Sequence, residues 1–268
     1  MNLSKRNNVK ITGSGDRTIV FAHGFGCDQN AWGEVAPAFA KDFRVILFDH
    51  VGAGGSDCSA YDPARYDKLQ GYADDYIDLA DELGLTGATF VGHSVAGMIG
   101  MLAAIRRPDL FSSLIMLAPS PCYVDDSGYR GGFSQQDITE LLEVLESNFF
   151  MWSRATAPAI MGNSDRPELG ERLASTFCRT DPQIARHFAR VTFLSDHRED
   201  LPLCMVPTVV LQSSADMIAP PEVGAYMVTR LPNARLIYLT ASGHCPHMSA
   251  PHETVATILG LLCETYVA

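Results

Sequence analysis

The stretch "FVGHSVAGMIG", residues 90–100, decides the fold. A β-rich apolar run, "ATFVGH" (88–93), stops at Ser94, and the residues after it, with small Ala96, Gly97 and Gly100, read as a helix. A strand–serine–helix turn pushes a hydroxyl into the open at the head of a helix. Small neighbours are required there because the turn is tight and the helix must lie against the strands. The usual pattern is Gly-x-Ser-x-Gly, and Ala96 stands at its second glycine. Taken alone, the stretch leaves Ser94 open as a nucleophile or as a plain helix N-cap.

Outward from it, "TIVFAHG" (18–24), "RVILFDH" (44–50) and "SLIMLAP" (113–119) are further nearly continuous apolar runs, the pattern of parallel strands buried on both faces. Helical spacing fills the intervals at about 28–40, 66–83 and 94–107. This alternation predicts an α/β fold with a mostly parallel central sheet flanked by helices. From residue 119 to 196 the strand signal disappears. "SQQDITELLEVLESNFFMW", "RPELGERLASTFC" and "DPQIARHFARVTFL" are helical, with capping-type Ser or Asp near their starts. The strand–helix rhythm resumes with "PTVVLQSS" (207–214), "PEVGAYMVTRL" (221–231), "ARLIYLT" (234–240) and a last helix from about 251. The expected organisation is a core of residues 1–118 and 197–268 with a helical cap, 119–196, inserted over the C-terminal edge of the sheet, where open α/β sheets bind ligands.

An activated serine needs a base, the base an orienting carboxylate, and the developing oxyanion two aligned donors. In chain order after Ser94 come Asp216, just past a strand end, and His244 in "TASGHCPHMSAP" (240–251), after the last strand. This order, serine then acid then histidine, is that of the strand–serine–helix folds. In "AHGFG" (22–26) the backbone N–H of Phe25 can pair with that of Val95 as an oxyanion hole. His244, following Ser242-Gly243 at the strand end, is the expected base. His247 is expected to hydrogen-bond within the turn leading into the last helix, and Cys245 to be a buried small residue. His93 is expected on the pocket floor, and His23 to brace the oxyanion loop. Asp49, in the glycine-rich "DHVGAGGSD", reads as structural, and Asp196 and Asp200 as surface or hinge charges. Metal binding lacks a third ligand at a convincing spacing, and no cofactor is expected.

The chain carries 20 Lys plus Arg against 31 Asp plus Glu, a formal charge of −11. That balance argues against a nucleic-acid surface and against attraction to anionic lipid. Seven scattered cysteines without a Cys-x-x-Cys pair do not form a secreted disulfide framework. The polar "MNLSKRNNVKITGSG" lacks the apolar region of a signal peptide, and no apolar run approaches the ~18 residues of a spanning helix. A cytoplasmic location is expected.

Together "HGFGCDQNAW", "FDHVGAGGSD", "GHSVAGMIGMLAAIRRPDLF", "APSPCY", "CRTDPQIARHFA", "SDHREDL" and "GHCPHMSAP" resemble the α/β-hydrolase superfamily over essentially the whole chain. The closer likeness is to RsbQ-type bacterial stress-signalling hydrolases and, through them, to plant strigolactone and karrikin receptors. The resemblance implies the catalytic set Ser94, Asp216 and His244, and a V-shaped cap of four helices over a closed, mostly apolar pocket. Phe25, His93, Phe133, Trp152 and Phe193 are the positions expected around that pocket. It also implies a small hydrophobic ester or lactone as ligand and a PAS-domain regulator as protein partner. Two other readings stay open: a metabolic esterase or lactonase without a partner, and a non-catalytic binding module.

Overall fold

The computed structural model describes residues 2–264. Its centre is a seven-stranded sheet. The strands are β1 (Lys10–Thr12), β2 (Arg17–Ala22), β3 (Phe43–Phe48), β4 (Ala88–His93), β5 (Phe111–Leu117), β6 (Thr208–Gln212) and β7 (Ala234–Tyr238). They lie in the order β1-β3-β2-β4-β5-β6-β7. All pairings are parallel except that of β1 with β3. Every residue of β4 is buried, as its unbroken apolar run requires of a strand covered on both faces. The exposed β1 closes one edge and was not legible as a strand.

The helices are α1 (Leu3–Arg6), α2 (Leu69–Glu82), α3 (Val95–Arg106), α4 (Gln135–Ser147), α5 (Phe149–Met161), α6 (Pro167–Phe177), α7 (Pro182–Phe193), α8 (Pro221–Arg230), α9 (Pro246–Ser249) and α10 (Pro251–Glu264). Helix α3 buries all of Val95–Ala104 against the sheet, which is why it carries no polar face. The helix expected at 28–40 is instead two 3-10 turns, Gln29–Trp32 and Ala36–Phe39. Gly33 and Pro37 interrupt the segment, and the observed bonds are the tighter kind, Gly33 N–H to Asn30 O at 3.0 Å and Ala40 N–H to Pro37 O at 3.3 Å.

Helices α4 to α7 are inserted between β5 and β6. Three of the four starts are set by side-chain caps, and α6 begins at Pro167 without the expected one. Ser134 and Asp137 form a reciprocal capping box, Asn148 caps α5 and thereby splits the helical pattern at 134–152 into two helices, and Asp181 caps α7. Their inner faces form one apolar cluster that includes Ile138, Leu145, Trp152, Leu173, Phe177 and Phe193 together with Cys27 and Cys245 of the sheet-end loops. The insertion therefore packs directly over the C-terminal ends of the strands.

Candidate active site

Ser94 sits between β4 and α3 with φ 56° and ψ −125°, a strained backbone for a residue with a Cβ. Close packing makes the turn possible only with small residues. A Cβ on Gly92 would lie 2.6 Å from the Ala96 carbonyl oxygen, and Ala96 itself is fully buried. The Ser94 side chain makes no capping bond to α3. Its Oγ instead lies 2.9 Å from Nε2 of His244. The N-cap alternative is thus at odds with the geometry.

The chain of contacts continues. Nδ1 of His244 is 2.7 Å from Oδ2 of Asp216, and Oδ1 of Asp216 accepts the N–H groups of Ile218 and Ala219 at 2.8 and 3.1 Å. These two backbone donors fix the carboxylate, so Nδ1 carries the imidazole proton and Nε2 is left to accept from the serine. Ser94, Asp216 and His244 are all less than a tenth exposed. The arrangement can remove a proton from Ser94 as its oxygen attacks an electrophilic carbon.

Phe25 follows β2 in the loop opposite. The N–H groups of Phe25 and Val95 take no part in the turn bonds beside them, which run from Cys27 N–H to Gly24 O and from Gly97 N–H to Ser94 O. His23 donates from Nδ1 to Gly24 O at 2.9 Å and accepts the His50 N–H at Nε2, bracing the loop as expected. Asp49 is buried and accepts from Asn8, Gln29 and Gly55, a carboxylate consumed by the loop it organises. Asp196 pairs with Arg198, and Asp200 with His197.

A cavity of about 60 Å³ opens on Ser94 and His244. Phe25, His93, Phe133, Trp152 and Phe193 all line it. Sequence reasoning missed Tyr123, Phe177, Cys27 and Cys245, which line it as well. Tyr123 was findable, because it lies a few residues past the C-terminal end of β5, at the sheet edge where ligands bind. Burial pushes its phenol up, an effect partly offset by its contact with Ser94. Burial likewise pushes the Cys27 thiol up to about 12 and Cys245 well above the usual range, so neither is poised as a competing thiolate.

His247 departs from expectation. Both its ring nitrogens lack a hydrogen-bond partner, and the ring is fully buried between Trp32 and His93 at centroid distances of 4.5 and 4.3 Å. Its apolar surface is used for packing, and the ring stays neutral. Burial, then the charges of His244 and Arg172, lowers it to about 3. His50 and His93 are lowered too, chiefly by burial. An unfolded histidine titrates near 6.5, so acid favours the unfolded chain. Stability is full above about pH 6.5 and is lost as the pH falls toward 3. For His247 alone the step from pH 7 to pH 5 should cost about 2 kcal/mol. Thermal unfolding should show Tm falling over that step, and less so in His247→Leu. An equal fall in both proteins would clear His247 of the effect.

Residues 19–257 match the alpha/beta hydrolase family. Among characterised proteins, the chain is 40% identical over 246 residues to strigolactone esterase RMS3 of Pisum sativum, covering 91% of this chain and 92% of that one. It is 36% identical over 258 residues to Karrikin insensitive 2 receptor CA of Petunia hybrida, covering 96% of each. Among solved structures, a hydrolase from Oleispira antarctica has a TM-score of 0.95 at 40% identity, covering 97% of this chain and 96% of that one. The match runs from β2 into α10 and takes in the serine turn, the acid and the histidine loop. The chain belongs to the alpha/beta hydrolase family.

Proposed function

We propose that this protein is a serine hydrolase of the esterase or lactonase type, which acts on a small, mostly apolar ester and reports its occupancy to a protein partner. The observation that carries the reading is the unbroken hydrogen-bonded series Asp216–His244–Ser94 opening on a small, aromatic-lined cavity. In this reading His244 Nε2 takes the proton of Ser94 as Oγ attacks the ester carbonyl. The N–H groups of Phe25 and Val95 hold the oxyanion, and Asp216 stabilises the imidazolium. The imidazolium then protonates the leaving alkoxide, and water, deprotonated by His244, releases the acyl group from Ser94. The cavity's size favours compact esters or lactones, and its aromatic walls favour apolar ones. Names of similar proteins, a strigolactone esterase and a karrikin receptor, support hydrolysis combined with sensing.

We assign residues 119–196 as the cap and as the signalling surface, facing a PAS-domain regulator of the kind the RsbQ-type resemblance implies, in a cytoplasmic setting. Among the described residues no helix is long and apolar enough to cross a membrane. Glu140, Glu143, Glu146, Arg154 and Arg172 are exposed on these helices. Replacing them together should leave p-nitrophenyl acetate hydrolysis within about twofold, since surface changes cost little, while abolishing capture of a purified PAS-domain regulator. Unchanged capture would place the interface elsewhere, and the absence of binding even by the unaltered protein would favour a metabolic esterase. Absence of any ester hydrolysis would leave a binding module.

A further inference from the structure

The inserted helices do more than roof the cavity. The last turn of α5 is hydrogen-bonded to the loop that carries His244. The His244 backbone N–H donates to the Ile160 carbonyl at 2.9 Å. Asn163, just past the helix, donates from Nδ2 to the carbonyls of Met161 and Ser242, the latter at 3.2 Å. Arg166 donates from Nη1 to the Ser249 carbonyl at 2.7 Å and from Nη2 to Oδ1 of Asn163. The two backbones touch: a Cβ on Gly243 would lie 1.8 Å from the Met161 carbonyl oxygen, and Gly243 has φ 87°. From the core side, Gly243 N–H donates to Ala215 O, the residue before Asp216, and Nε2 of His93 donates to the His244 carbonyl at 2.8 Å.

We propose that Asn163 and Arg166 are positioning residues for His244: together they clasp both ends of the segment 242–249, the histidine loop and α9, to the end of α5. Neither touches the cavity. What they fix is the distance from the imidazole to Ser94 and Asp216, both short contacts that a shift of the loop would open. Ser242 and Ser249 bracket the histidine, so holding both carbonyls leaves the loop between them little freedom. Helix end and base therefore move as one body. Any movement of α5, whether thermal or driven by a ligand against Trp152 on the same helix, changes the alignment of the base.

This inference rests on the hydrolase reading for its kinetic arm but not for its structural one. The structural arm follows the downfield proton resonance of His244 Nδ1–H, which reports its bond to Asp216 and needs no turnover. In Asn163→Ala and Arg166→Ala the resonance should shift or broaden. kcat on p-nitrophenyl acetate should fall about 10- to 100-fold, the scale of a misplacement of about 1 Å, with KM within about twofold. Arg166 is only half-buried, so millimolar guanidinium should restore part of kcat in Arg166→Ala. Arg166→Lys, which keeps a cation for the Ser249 carbonyl, should lie between. An unchanged resonance in both alanine variants overturns the proposal whether or not the unaltered protein hydrolyses esters. So does a loss of kcat that follows the unfolded fraction in circular dichroism and recovers with neither guanidinium nor lysine. If Arg166→Ala does not fold, Arg166→Lys decides: a shifted resonance with lowered kcat and constant KM supports the clasp, and an unaltered resonance overturns it.

Discussion

Ser94→Ala should form no acyl adduct with p-nitrophenyl acetate and should hydrolyse it on the order of ten-thousand-fold to a millionfold more slowly, because members of such a set act as a unit. The residual rate would come from binding and the oxyanion donors alone. Peptide mapping by mass spectrometry should place the adduct of the unaltered protein on Ser94. An adduct on Cys27 or Cys245, the two thiols in the same cavity, would sink the assignment, although burial raises both and works against it. The backbone adds an independent check. With φ 56° and ψ −125°, Ser94 holds a conformation that costs on the order of 1–3 kcal/mol for a residue with a Cβ. Ser94→Gly should therefore be more heat-stable than Ser94→Ala, even though both are inactive. Equal stability would mean that the turn stores no strain.

What the sequence made legible here follows from where the forces are local. Strand β4 reads correctly because burial on both faces demands an unbroken apolar run. Helix α7 reads correctly because Asp181 caps it and its apolar residues recur at helical spacing. The turn at Ser94 reads correctly because its sterics act between neighbours a few residues apart. Errors fall where the decisive partner is distant or the local signals conflict. Residues 28–40 have helical spacing, but Gly33 and Pro37 reduce it to 3-10 turns. His247 looks polar in sequence, and only packing against Trp32 and His93, far away in the chain, makes it a neutral buried ring. The bonds from Asn163 and Arg166 to the histidine loop span about eighty residues and leave no periodic or motif signal at all. Tyr123 was within reach of a rule about sheet ends, and the cavity's small volume was not, because it depends on how four helices settle on the strands.

The two histidines of residues 244 and 247 give the second large effect. His244→Ala should lower the hydrolysis rate by about as much as Ser94→Ala, since a serine without its base is as inert as no serine. The geometry explains why a near neighbour cannot substitute. Nε2 of His244 is 2.9 Å from the serine oxygen and Nδ1 is 2.7 Å from Asp216, whereas the ring of His247 packs on Trp32 and His93 with no hydrogen-bond partner. His93 touches both rings, its own Nε2 committed to the His244 carbonyl. His247→Ala removes a fully buried ring and leaves a cavity, so its loss should appear in Tm, at about 2–4 kcal/mol by analogy with other large-to-small core changes. The rate per folded molecule should fall by less than about tenfold, because only the packing beneath the base is disturbed. The ranking is the test. If His247→Ala abolished turnover at unchanged Tm while His244→Ala kept most of it, the base assignment would be wrong, and the hydrogen bond from Ser94 to His244 would have to be structural.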